Sequence, residues 1–139
     1  MATLKISEIS VGDWVQDNYG DYVKVAGIWQ GCNFNYQVDI LRDGRIGTIV
    51  PCNLHPIPIT AEILEKNGFV DKVSRLFPYE REWRGDKSVV NICSFDEELW
   101  FADFEFRDGP TCMSDIPLIY INQLQHILRL AGVGKEINL

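Results

Sequence analysis

Positive charge is scarce in this chain, and so is histidine. Thirteen lysines and arginines face twenty aspartates and glutamates, a formal net charge of −7 over 139 residues. A surface that coats phosphates would need that charge to be strongly segregated, so nonspecific nucleic-acid binding is disfavoured from the start. The only two histidines, His55 and His126, leave few general bases for a Cys–His or Ser–His mechanism. The four cysteines, at 32, 52, 93 and 112, contain no C-x-x-C pair, which removes the spacing of zinc and dithiol redox sites. Cys52 and His55 read as a turn before a proline segment rather than as half of a metal site. No apolar run approaches the roughly 20 residues of a membrane-spanning helix; the stretches 46–50 and 116–121 are broken by Gly47, Thr48 and Pro117. The first six residues lack the apolar centre and small-residue cleavage site of a secretory leader, so a cytoplasmic location is expected. Gly44-x-x-Gly47 lacks the third glycine, the Lys-Ser/Thr pair and the helix of a phosphate loop, and no cofactor is implied.

What is present is ordinary globular material. With 46% hydrophobic and 24% charged residues, the chain can fill a core, and its length suits one domain over 1–139. The fold class expected is α+β: an N-terminal SH3-like small β-barrel over 1–59, then a short helix, an antiparallel β-meander and a C-terminal helix over 60–139, packed as one unit. In the first half, Val23 and Val25 share a face at period two, Gly27 supplies a bulge that turns Ile28 inward, and Phe34, Tyr36, Val38 and Ile40 line the buried side of the next strand. Asp43-Gly44 is a hairpin turn signal.

In the second half, Thr60 is placed to cap a helix from Ala61 to about Asn67, and Gly68 to take its left-handed C′ position. Leu64 and Phe69 then form the hydrophobic pair of a Schellman ending. A three-stranded meander follows, with turns at 84–86 and 96–98 and with Trp100, Ala102, Phe104 and Phe106 on its buried side. Tyr120, Ile121, Leu124, Ile127, Leu128 and Ala131 make the apolar stripe of the last helix, with Asn122, Gln123, Gln125 and Arg129 largely outside it and Gly132 at its end. Residues 135–139 read as an edge strand or a tail packed by Ile137 and Leu139.

Two stretches carry a resemblance. The run Pro56-Ile57-Pro58-Ile59-Thr60-Ala61-Glu62-Ile63-Leu64-Glu65-Lys66-Asn67-Gly68-Phe69, followed by Ile119-Tyr120-Ile121-Asn122-Gln123-Leu124-Gln125-His126, resembles a family of small uncharacterised proteins of Bacteroidota and their phages and mobile elements. Gly132, Glu136 and Leu139 match the ending of that family, whereas Asn122 stands where its members often carry histidine. The resemblance implies a phage or prophage setting and brings no catalytic residue with it.

The candidate sites are binding surfaces. Tyr19, Tyr22 and Trp29 are the aromatics of the first half placed for partial exposure, suited to gripping a peptide or a methylated ammonium group. Asp103 and Glu105 alternate with buried residues on one strand and so face outward, where they complement a basic partner. The expectation is a noncatalytic protein acting through a protein partner, a basic one being favoured, and anti-defence activity fits the phage setting. A single-stranded nucleic-acid module would use the same aromatics for base stacking, with Lys24, Arg42 and Arg45 on phosphates. A small hydrolase would need a carboxylate pair from Asp96, Glu97, Glu98, Asp103 and Glu105, which a turn and a solvated strand face explain equally well. Oligomeric state is left open.

Overall fold

The computed structural model describes residues 2–31, 35–72, 76–107 and 113–139, and Phe34, Cys32 and Cys112 lie outside them. The chain is α+β, with two antiparallel sheets and two helices. It divides into two compact units, the first running to Ile57 and including Leu139, the second spanning Pro58–Asn138.

The first unit is a four-stranded sheet in consecutive order, β1 (Trp14–Gln16), β2 (Tyr22–Gln30), β3 (Tyr36–Arg42) and β4 (Arg45–Ile49). Its register slips between Val25 and Gly27 opposite β3, the bulge that lets Ile28 pack on the same core as Val23 and Val25. Val15, Val38, Ile40, Leu4, Ile9 and Leu54 complete that core. Asp43 and Gly44 both adopt positive φ, +49° and +77°, as a two-residue hairpin of matching twist requires. Tyr36 departs from the expected inward set: it opens β3 opposite Gln30 and is exposed. The alternation there outruns the core, which ends at Val38. Among the described residues no strand pairs β1 with β4, so no closed barrel is found.

In the second unit Thr60 Oγ1 accepts from Ile63 N–H at 3.2 Å and starts α1 (Ala61–Lys66). Gly68 ends it at φ +83°, with Phe69 N–H on Leu64 O at 3.0 Å and Gly68 N–H on Glu65 O at 3.1 Å. That is a Schellman pairing, and Leu64 and Phe69 are both fully buried. The sheet has five strands rather than three: β5 (Val70–Asp71), β6 (Tyr79–Arg84), β7 (Ser88–Ser94), β8 (Trp100–Phe106) and β9 (Met113–Leu118), in that order. The two missed strands are its edges. β9 holds Pro117, tolerable only where no ladder N–H is needed, and Asp115 at φ +57° beside a register shift at Ala102/Phe104; both obscure its alternation.

One face of this sheet forms the core, where Trp100, Ala102, Phe104, Val90 and Ile92 are buried together with α2 (Ile121–Ala131) residues Ile121, Leu124 and Leu128. Trp100 Nε1–H donates to Ile59 O at 3.0 Å, so the largest core ring is satisfied as well as buried. Gln123 Oε1 accepts from Tyr120 N–H at 3.0 Å at the start of α2, and Gly132 ends it at φ +67°. Asn122 and Gln125 are buried rather than outside the stripe, because the packed arc of α2 is wider than its apolar residues alone. Arg81 is buried between α1 and β5, paired with Glu65 at 2.8 Å and Asp71 at 3.2 Å. The tail is held by Asn67, whose amide bonds Asn138 N–H and O at 2.7 and 2.9 Å.

Candidate functional site

The face of β6, β7 and β8 turned away from the core is fixed by period two. Cross-strand register places Glu82, Asn91 and Asp103 in one row, Arg84, Val89 and Glu105 in the next, and Glu80, Cys93 and Phe101 on the other side. The first two rows, with Lys72, line a recess of about 260 Å³. Glu80 and Glu82 are buried, so their charges need compensation. Lys72 Nζ lies 3.5 Å from Glu80. Arg84 Nε lies 2.5 Å from Glu82 Oε1, an ion pair without an aligned N–H, since that oxygen takes no hydrogen bond. Asn91 Oδ1 is likewise buried without a donor.

Asp103 and Glu105 differ from these. Among the described residues no lysine or arginine pairs with either, and Asp103 is bound only by the N–H of Asp115 at 2.8 Å. The recess therefore carries uncompensated negative charge. In the neighbouring row of the same face Cys93 registers the field: burial first, then the charges of Asp103, Glu80 and Asp115, push its thiol up to about 11. Burial also opposes ionisation of Glu80. Hydrogen bonds from Asn91 and from the Leu76 and Phe77 backbones, with Lys72 nearby, outweigh it and hold this carboxyl below its ordinary value.

The expected site residues fall into separate groups. Asp103 and Glu105 share the recess. Tyr19 is 88% exposed at the tip of the β1–β2 turn, where Asp17 accepts from its N–H at 2.9 Å and from Asp21 N–H at 3.0 Å. Tyr22 and Trp29 are half exposed but stand at opposite ends of β2, about 23 Å apart along a strand, so they form no common platform. Trp29 Nε1–H donates to Asp39 at 3.2 Å. Arg42, one of the expected phosphate contacts, is engaged by Asp17 and Asp21, and Lys24 lies over the Trp14 ring at 5.8 Å. In the β7–β8 turn Asp96 accepts from the N–H groups of Glu98 and Leu99, bonds that lower its carboxyl, and Glu97 accepts from Ala61 N–H. Both are engaged in shaping local structure. His55 is buried, its ring nitrogens each 2.7 Å from an oxygen, of Ala2 and of Asn18.

Glu80, Glu82, Asn91, Lys72 and Arg84 are the site residues that sequence reasoning missed. The available signal was the alternation of Glu80, Glu82 and Arg84 against Tyr79, Arg81 and Trp83, which resembles any solvated strand until cross-strand register adds Asn91 and Asp103. A larger opening of about 840 Å³ lies between the β6–β7 turn and the end of α2. Its Trp83 ring is packed on Gly85 with Lys135 Nζ 5.9 Å from its centre. No family model, curated protein or solved structure matches the chain.

Proposed function

We propose that this is a noncatalytic binding protein whose partner is a basic protein docked on the acidic outer face of β6, β7 and β8. The observation that carries the reading is that Asp103 and Glu105 line a recess in which, among the described residues, neither is ion-paired with a lysine or arginine. Complementary charge of this kind speeds encounter and excludes wrong partners more than it deepens affinity. The surrounding carboxylates are tied to Lys72 and Arg84 or to turn amides, which supports recognition over acid–base chemistry. A phage or mobile-element setting, with an anti-defence role against a basic host protein, is part of the proposal and rests on the resemblance of the 56–69 and 119–126 stretches. For the first unit the SH3-like reading is likewise a proposal, supported by consecutive strand order, tight turns and the β2 bulge. The engagement of Arg42 by two carboxylates argues against the single-stranded nucleic-acid alternative.

The test is affinity capture from the host with a nuclease-treated control, followed by association kinetics of the captured protein at two salt concentrations. The expected result is nuclease-resistant capture, with association slowed by Glu105→Lys and by added salt. Capture abolished by nuclease, or an association rate indifferent to Glu105→Lys and to salt, overturns the proposal.

A further inference from the structure

An apolar knob stands beside the acidic recess, and one buried carboxylate builds both. Leu76 is 88% and Phe95 66% exposed, and the rings of Phe77 and Phe95 lie 4.6 Å apart at 58°. Exposed apolar clusters of this sort mark interaction sites. Glu80 Oε2 accepts from Leu76 N–H at 2.8 Å and from Phe77 N–H at 3.4 Å, while Glu80 Oε1 accepts from Asn91 Nδ2 at 3.0 Å. Asn91 is a wall of the recess. Knob and recess are therefore held in fixed relation within one unit.

We infer that the partner offers an extended segment with an apolar side chain and an arginine four residues apart, the apolar group resting on Leu76, Phe77 and Phe95 and the guanidinium entering the recess. The inference rests on the proposed function and names the chemistry of its partner. Arginine fits better than lysine because the recess presents dispersed acceptors. Asp103 and Glu105 present carboxylates on two adjacent rows, and beside Asp103 in register Asn91 Oδ1 takes no hydrogen bond, whereas Glu82 Oε1 is already ion-paired with Arg84. A planar guanidinium offers five donors in a fixed fork, against three on a compact ammonium. About 260 Å³ admits one side chain, so the rest of the segment must lie outside, where the knob is. From Asn91 to Phe95 is four residues, about 13 Å in extended chain, and an even spacing puts both partner side chains on one side of its strand.

The probe is an eight-residue serine-based peptide carrying Phe and Arg four positions apart, titrated into the ¹⁵N-labelled full chain. Saturable shifts are expected at the Leu76, Phe77 and Phe95 amides and at the Asn91 side-chain amide. Affinity should fall about fivefold or more when the peptide's Phe becomes Ser or its Arg becomes Gln, and by a smaller factor with Lys. Leu76→Ser and Phe95→Ser in the chain, both at exposed positions, should reproduce the loss of the apolar anchor. The absence of saturable shifts at either group of reporters, or equal affinity for the Phe95→Ser chain, overturns the inference. The captured partner separates the two readings: sensitivity to Glu105→Lys without sensitivity to Leu76→Ser or Phe95→Ser overturns the inference alone, and indifference to all three overturns both.

Discussion

The two sheets are both antiparallel meanders with one buried face, and they treat the opposite face in different ways. In the first unit the outward residues of β2 to β4 include Tyr22, Trp29, Leu41 and Ile46, all exposed, and nearby cations are engaged within the unit, Arg42 by the carboxylates of Asp17 and Asp21 and Lys24 over the neutral Trp14 ring. In the second unit the outward face is polar and partly buried, with Glu80 and Glu82 sunk into it and, among the described residues, no lysine or arginine ion-paired with Asp103 or Glu105. Apolar exposure on a sheet is common and weakly informative. A buried carboxylate is costly to keep, so the second face is the more constrained and the better place to look for selection by a partner.

The largest effect that can break this comparison lies in the second core. Trp100→Ala removes a fully buried ring and its hydrogen bond to Ile59 O, and should cost about 3–5 kcal/mol. Urea unfolding followed by far-UV dichroism and by tryptophan fluorescence checks it, since Trp14 and Trp29 report from the first unit and Trp83 and Trp100 from the second. Expected are coincident transitions in the native chain, because residues 54–57 leading to the boundary are buried and no polar linker intervenes. A first unit that stays folded while the variant's second unit melts would show two independent domains.

How much of this was legible depends on where the information sits. Thr60, Gly68, Leu64 and Phe69 declare α1 and its ending because capping chemistry is local, and the β2 bulge at Gly27 could be read for the same reason. β9 could not, since Pro117 and the positive φ of Asp115 mask its period. Of the site, Asp103 and Glu105 were readable from the alternation of their own strand. Their neighbours were not, because which residue of β6 meets which residue of β7 is a property of register, and the sheet supplies it only through pairings such as Glu82 with Asn91.

A smaller effect sharpens the contrast between the units through pH. Asp17 in the first and Glu80 in the second are buried; burial works to raise both carboxyls. Hydrogen bonds from Asp21 and Tyr19 with the Arg42 charge in one case, and from Asn91, Leu76 and Phe77 with Lys72 in the other, hold both below their ordinary values of 3.8 and 4.5. A group depressed in the folded state stabilises it above the unfolded value, and that contribution is lost as pH falls through the folded one. Stability should therefore be flat above about pH 5 and decline below 4.5. Glu80→Gln should cost about 1–3 kcal/mol at neutral pH and decline less steeply on acidification, with Leu76 and Phe77 amides losing hydrogen-exchange protection. Asp17→Asn should leave those two amides unchanged. An identical acid slope in Glu80→Gln and the native chain would show that this carboxylate does not hold the knob.

The smallest effect distinguishes two carboxylates that looked equivalent on one strand. Both alternate outward with the buried Trp100, Ala102 and Phe104, and a sequence-based expectation treats their charge reversal as equally harmless to folding. The structure separates them. Asp103 accepts from Asp115 N–H at 2.8 Å, and Asp115 sits at φ +57° where β9 shifts register against β8, so this carboxylate fixes a backbone conformation that a residue with a Cβ adopts reluctantly. Glu105 makes no such bond and is exposed. Glu105→Lys should change stability by no more than about 0.5 kcal/mol, whereas Asp103→Lys should cost about 1.5 kcal/mol, the low end for a hydrogen bond to a charged acceptor. Paired melts of the two variants, with Asp103→Asn as a control whose side-chain oxygen still accepts, measure the difference. Equal melts for the two lysine variants would show that β9 holds its bulge without Asp103, and either residue could then carry the charge-reversal test of the partner.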